Sequence, residues 1–337
     1  MRFNKVYVVA PYAFATGGVE LSHQLVDALR NRGVDAYIVY MAPNGISRKQ
    51  DVTKEYANYN IVTNSDIEDL SSNILVLPEV YFFMISDYQK INIGCWWMSV
   101  DNHYVEGVSV VDAFSFYKGL KNKLWILYRF LFKKRYRTKY SDKILKSEEN
   151  RIYHLYQSCY AQHHLYSKGC SKVLPLSDYI NTDFEVTASL DRRQNIILYN
   201  PKKGYEFTQK IIRNNPQYEF IPLIGLGRQE LRDLMQRAKL YIDFGHFPGK
   251  DRLSREAAMN GCCVITGKLG ASYFYEDVPI GEEYKFEVEV RNIKQISQKI
   301  EDIMENYTSH NLQFEQYRST ILKEKNTFYR QVEDFFL

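Results

Sequence analysis

Between residues 244 and 265 the chain reads FGHFPGKDRLSREAAMNGCCVI, and its polar residues are spaced to hold a phosphorylated diol. A Gly/Pro loop leads to Asp251, a residue suited to cap a helix, with Ser254 in the first turn. A helix N-terminus behind such a loop presents free N–H groups and the positive end of its dipole to an anion. Lys250 and Arg252 add full charges beside that end. Glu256 follows one turn later, where a carboxylate can accept two hydrogen bonds from a vicinal diol such as a ribose. The same residues read equally as an ordinary capped helix with solvated charges. A second junction, PYAFATGGVELSHQL at 11–25, sets Gly17 and Gly18 between a short apolar run and a patterned helix. Either the pair makes a tight turn, or it lets a ligand approach the backbone closely. Its spacing is not the G-x-G-x-x-G of a dinucleotide fingerprint.

The elements that must position these residues alternate. KVYVVA reads as a strand, VELSHQLVDALRNRG as a helix with apolar residues at 19, 21, 25, 26 and 29, and DAYIVYM as the next strand. Apolar runs follow at NIVT (60–63), NILVLPE (73–79) and INIGCWWMS (91–99). IYHLYQSCYAQHHLYSKG is expected to be helical and KVLPLSDYI a strand. A polar loop, 181–194, marks a boundary, which we set at 185/186. Strands NIILYN, YEFIPLIG, LYIDFG and CCVITG then alternate with helices, as a second parallel α/β domain requires. The expected domains are 1–185, with an insert at about 108–146, and 186–315. A closing helix covers 316–337.

The 337 residues carry a net charge of +4 and are 45% hydrophobic and 25% charged, the balance of a soluble globular protein. The start of the chain reads as a first strand rather than a signal peptide. No apolar run is long enough to span a bilayer. Five cysteines without a CxxC pair suit a reducing compartment. Charge is unevenly placed: from Lys118 to Lys146 eleven Lys/Arg face a single acid, Asp142. Within that insert Leu120, Leu124, Leu127 and Leu131 recur at helical spacing among Trp, Phe and Tyr. Such a segment can lie on an anionic membrane surface, pack as a buried helix with a solvated basic side, or bind single-stranded nucleic acid. The first is the expectation, with no nucleic-acid partner.

The stretch REAAMNGCCVI resembles the second half of the E-x7-E region of GT-B glycosyltransferases, glycosyltransferase family 4 in particular. In that family the later Glu binds the nucleotide ribose, and Glu256, Gly261 and Val264 match its Glu, Gly and Val. Eight positions before Glu256 stands Pro248, where the family has a Glu that contacts the donor sugar, so that contact is not carried over. The PGKDR-x-x-REAA form looks like a subgroup among bacterial surface-polysaccharide transferases. LYNPKKG (198–204) resembles the family's loop whose basic residue before a glycine binds the donor diphosphate. Lys203 is its match, with Lys202 and Gly204 beside it. Lysines in such a loop, taken alone, read as solvated. PLIGLGRQELRDL (222–234) resembles the loop that cups the base, and implies that Ile224 and Leu226 pack on it.

The resemblance includes the opening GGVELSHQLVDALRNRG, similar to a GT-B segment whose glycine pair turns N–H groups toward donor phosphates and acceptor. It implies an α/β GT-B architecture: two Rossmann-like parallel-sheet domains facing a cleft, with a C-terminal helix packing back across them. Asp101, Asn102 and His103 follow a strand end. Asp101 or His103 would orient or deprotonate an acceptor hydroxyl, unless the segment is only an Asx turn with a surface histidine. Glu20 is a further candidate, or supports the first turn of its helix. No two aspartates are separated by one residue, so the metal-holding D-x-D pattern is absent. Lys202, Lys203, Lys250 and Arg252 are then the diphosphate's counter-charges, and no metal or other cofactor is expected. The implied activity is sugar transfer from a nucleotide sugar, UDP-linked by expectation, to a bacterial surface glycan or lipid-linked acceptor. The place is the cytoplasmic membrane's inner face. A GT-B nucleotide-sugar epimerase and a non-catalytic binding partner are the alternatives.

Overall fold

The computed structural model describes residues 1–13, 16–42, 45–47, 49, 51–133, 140–180 and 193–337. The chain divides into two compact units. One is Met1–Gln157 with Ala161–Asp178 and Asn326–Leu337; the other is Ser158–Tyr160 with Tyr179–Lys325. The boundary set at 185/186 lies outside the described residues.

In the first unit, strands β1 (Lys5–Pro11), β2 (Asp35–Ala42), β3 (Gly45–Ile46), β4 (Ile74–Pro78), β5 (Asn92–Trp97), β6 (Ile152–Tyr156) and β7 (Val173–Pro175) pair in the order β3-β2-β1-β4-β5-β6-β7. All neighbours are parallel except β2 and β3. β4 is buried along its whole length, which explains its unbroken apolar run. Helix α1 (Gly17–Arg30) makes the first crossover with its apolar face inward. Helices α2 (Val100–Asn102), α3 (Val110–Phe116), α4 (Leu120–Tyr128), α5 (Lys143–Ser147) and α6 (Cys159–Ser167) complete the segment up to 178.

In the second unit the chain runs β8 (Gln194–Tyr199), α7 (Tyr205–Asn214), β9 (Glu219–Pro222), α8 (Arg228–Arg237), β10 (Ala238–Asp243), α9 (Arg252–Met259), β11 (Cys263–Gly267), β12 (Lys285–Phe286), α10 (Ile293–Glu305), α11 (Tyr307–Leu312) and the start of α12 (Glu315–Phe336), whose residues from Asn326 onward belong to the first unit. The strand order is β12-β11-β10-β8-β9, all parallel. β8 leads first to β9 on one side, and the chain then returns to β10 on the other. The order therefore reverses between β8 and β10, and such a reversal leaves a crevice at the strands' carboxyl ends. The same reversal lies between β1 and β4 in the first sheet. Arg193, itself in the second unit, donates from its side chain to the carbonyls of Met235 (2.8 Å), Ala238 (2.7 Å) and Asn260.

Three local expectations are corrected. The helix expected from 152 begins instead as β6, and only Cys159–Ser167 is helical. NIVT forms no strand of its own, only a bridge from Thr63 to Ile38. Gln194 belongs to β8 and not to the loop before it. In the insert, α4 buries Ile126 and turns its leucine stripe outward: Leu120 is 74% exposed and Leu124 57%. Leu131 and Phe132, just beyond it, are also exposed. The stripe is thus not the buried face of a packed helix.

Candidate functional site

The loops after β8 and β10 meet at the reversal in the second sheet. Lys203 reaches across it, its Nζ 2.7 Å from Asp251 Oδ2 and 3.2 Å from Asp243 Oδ2. Asp243 ends β10 fully buried, accepting from the Tyr241 hydroxyl at 3.0 Å and the Gly245 N–H at 2.9 Å. The Lys203 ammonium also lies 3.8 Å from the centre of the Phe247 ring. Burial would lower the Lys203 pKa, but the charges of Asp251 and Asp243 raise it. Burial likewise pushes the Asp243 carboxyl up to about 6, against the pull of Lys203. Two glycines permit this approach. Gly204 has φ +64, and a Cβ there would lie 2.5 Å from Gly245 N and from the Phe244 carbonyl carbon. A Cβ on Gly245 would collide with the stem of Lys203.

Helix α9 begins where the sequence places it, but its N-terminus is occupied from within. The Asp251 carboxylate accepts from the Ser254 N–H at 3.3 Å while its other oxygen holds Lys203. An anion arriving there competes with this cap. The expected counter-charges are also committed. Arg252 Nη2 is 3.1 Å from Glu256 Oε1, four residues on, and the Glu256 side chain is only 5% exposed. Burial raises the Glu256 carboxyl, with Arg252 opposing it. Lys250 Nζ lies 2.9 Å from Glu324 Oε1, and Glu324 Oε2 takes the buried guanidinium of Arg255 at 2.8 Å. The physical reason is shared: a partly buried cation is stabilised by a carboxylate beside it. Lys202 differs, being exposed and in no ion pair among the described residues.

Lys202, Lys203 and Gly204 line one groove of about 580 Å³, together with Tyr205, His246 and Val290. Glu256 stands outside that groove's lining, as do Ile224 and Leu226. Ile224 is exposed on the loop after β9, and Leu226 leans on the core of this unit.

The first unit gathers its own candidates at strand ends. Gly17 and Gly18 form the first turn of α1 in helical conformation, so no left-handed backbone demands them. A Cβ on Gly18 would reach only ordinary contact, 3.4 Å from Met98 Sδ. Glu20 is buried and takes the Tyr59 hydroxyl at 3.3 Å, a packing role within its own layer. Asp101 is partly exposed and Asn102 exposed, beneath the Ser99 cap of α2. His103 is corrected from a surface position: it is fully buried, Nε2 2.7 Å from Asp142 Oδ1 and Nδ1 3.2 Å from the Glu79 carbonyl. Burial would raise the Asp142 carboxyl, but His103 holds it below the usual range. His103 meets no solvent, so it can act only through Asp142 or after a rearrangement.

Sequence reasoning missed four functional-type residues. Glu79 directly follows β4 and is buried, its side chain accepting from Met98 N at 3.3 Å; burial pushes it up to about 7. Its only signal was an acid after an apolar run. Asp243 gave the same signal at the end of LYID. His246 was visible in the Gly/Pro loop itself. Glu324, in the last helix, had no local signal.

No protein-family model and no curated protein matches the sequence. Solved structures do resemble the whole chain. A glycosyltransferase from Rickettsia africae ESF-5 is 13% identical with a TM-score of 0.62, covering 99% of this chain and 98% of that one. HepE of Anabaena, solved with UDP-glucose, is 10% identical at TM-score 0.58 and 98% coverage of both. WaaG, a glycosyltransferase involved in lipopolysaccharide biosynthesis, is 12% identical at TM-score 0.53, again with 98% of both chains covered. At such identities these likenesses carry the fold: the chain has the GT-B fold, with two Rossmann-like domains.

Proposed function

From that fold we propose that the chain transfers a sugar from a nucleotide-sugar donor, UDP-linked by preference, to a bacterial surface glycan or lipid-linked acceptor, without a metal. One observation carries the reading: the KKG and KDR loops converge at the β8/β10 reversal, where Lys203 bridges Asp243 and Asp251. In this reading Lys202 and Lys203 meet the diphosphate, Lys250 and Arg252 add positive potential, and Glu256 takes the ribose hydroxyls. Gly204 lets the diphosphate approach, and Ile224 and Leu226 flank the base. In the first domain Gly17, Gly18 and Asn102 border the acceptor, with Asp101 or His103 serving its hydroxyl. The family 4 pattern around Glu256 and the UDP-glucose held by HepE support the donor class. WaaG's role supports the surface-glycan acceptor.

The sign of one substitution tests the ribose contact. Glu256→Ala is expected to weaken binding of UDP by about tenfold or more, measured by calorimetry. Were Glu256 merely the partner of Arg252, its removal would free that guanidinium and tighten diphosphate binding instead. Transfer itself is tested by incubating the protein with a panel of nucleotide sugars and a lipid-linked acceptor. Isomerised donor would point to the epimerase, and binding without turnover to the partner role.

We place the enzyme at the inner face of the cytoplasmic membrane through its insert. No helix of the described residues is long and apolar enough to cross a bilayer. Yet α4 and the residues after it expose Leu120, Leu124, Leu131 and Phe132 beside exposed Lys118, Lys121, Lys123 and Lys133. An apolar ridge flanked by lysines suits an anionic interface, at about 1 kcal/mol per basic residue near the surface. Leu124→Asp combined with Leu131→Asp and Phe132→Asp should release the protein from anionic vesicles in a flotation assay. Unchanged flotation would remove the insert from the membrane contact.

A further inference from the structure

We propose that binding of a nucleotide sugar's diphosphate takes up one proton from solvent, and that Asp243 receives it. This rests on the donor-site reading and names how that same site responds to pH. Lys203 Nζ serves two carboxylates at once, 2.7 Å from Asp251 and 3.2 Å from Asp243. Two anions on one ammonium leave the trio net negative before any ligand arrives. A diphosphate diester brings two more negative charges, so Lys203 must turn toward it and leave its carboxylates. The two are then unequal. Asp251 keeps the Ser254 N–H of its helix cap and is partly exposed. Asp243 is fully buried and keeps only neutral donors, the Tyr241 hydroxyl and the Gly245 N–H.

A buried carboxylate stripped of its cation takes a proton rather than remain charged. Among the described residues, the groups named as acting on Asp243 include no cation besides Lys203. Lys203 comes from the β8–α7 loop, Asp251 from the cap of α9 and Tyr241 from its own strand. Glu256 acts electrostatically on Tyr241 and carries the wrong sign, and the neighbouring strand contributes Thr266, which does not titrate. Burial already raises Asp243 to about 6 with Lys203 in place, and losing Lys203 raises it further. The proton moves from bulk water to a carboxylate oxygen, and no covalent bond to the ligand forms. A group whose pKa rises on binding makes affinity fall as pH rises. Above the ligand-free value the loss is about tenfold per pH unit.

The test titrates the full chain with UDP-, GDP- and dTDP-sugars, whose diphosphates carry no titrating proton near neutrality. Calorimetry in two buffers of different ionisation enthalpy, at about pH 7 and about pH 8, counts protons taken up. The sugar nucleotide that binds should take up close to one proton and bind about tenfold more weakly at the higher pH. Asp243→Asn should abolish both effects and bind more tightly than the native protein at the higher pH. Binding with no proton uptake, or uptake that persists in Asp243→Asn, overturns the proposal and leaves the donor site standing. Failure of every nucleotide sugar to bind overturns the donor site itself. The buffer comparison on the native protein decides the matter even where the variant does not fold.

Discussion

Glu324→Ala is expected to destabilise the second unit by about 3–5 kcal/mol, the cost of breaking a buried ion pair from one side. Glu324 holds Lys250 with one oxygen and Arg255 with the other. Arg255 is the critical partner, with a side chain only 1% exposed. Without Glu324 its guanidinium stays buried and loses its carboxylate. Urea unfolding followed by circular dichroism measures the loss; the two units need not melt together, so the transition belonging to the second unit is the one to follow. Removing both members, Glu324→Leu with Arg255→Met, should recover much of the loss, because a well-packed apolar pair often replaces a buried ion pair at little cost. No recovery in the double variant would show that packing of α12 against α9, rather than the uncompensated charge, carries the effect. A loss under about 1 kcal/mol for Glu324→Ala would place the pair among weak surface bridges.

Gly204→Ala is expected to cost about 2–4 kcal/mol and to abolish nucleotide binding. The position combines two penalties. Its φ of +64 disfavours any residue with a Cβ, and that Cβ would lie 2.5 Å from the Gly245 nitrogen and the Phe244 carbonyl carbon. The backbone of the β8–α7 loop must then withdraw from the end of β10, and Lys203 withdraws with it. A thermal melt gives the stability term, and a UDP titration the functional one. Gly225→Ala is the control: its φ is +70, but a Cβ there meets nothing within 4 Å. It should show the conformational penalty alone, about 1–2 kcal/mol. Equal losses in the two variants would mean that the close approach at 204 contributes nothing.

The alternation of strands and helices was legible because burial on both faces of a parallel sheet writes unbroken apolar runs such as ILVLP, and α1 and α9 write helical spacing. IYHLY misled for a physical reason. Ile152, Leu155 and Tyr156 fall at the first, fourth and fifth places, the spacing of a helix face, and five residues are too few to separate that from alternation. The candidate site was legible residue by residue but not in its pairings. Lys203 finds Asp251 forty-eight positions away, and Lys250 finds Glu324 seventy-four positions away. Each cation taken alone looked free for a phosphate. Only the crossing of the β8 and β10 loops, and the return of α12, reveal the carboxylates already there. The buried state of His103 was hidden likewise, since its partner Asp142 lies in the basic insert.

Arg193 carries one more consequence, for dissecting the gene. Its guanidinium closes the ends of α8 and α9, and it fills the space a Cβ on Gly261 would need, 2.2 Å from Nη2. Any split of the two halves for separate expression must therefore be cut upstream of Arg193, because a fragment starting at Gln194 would leave three helix-end carbonyls without their shared donor.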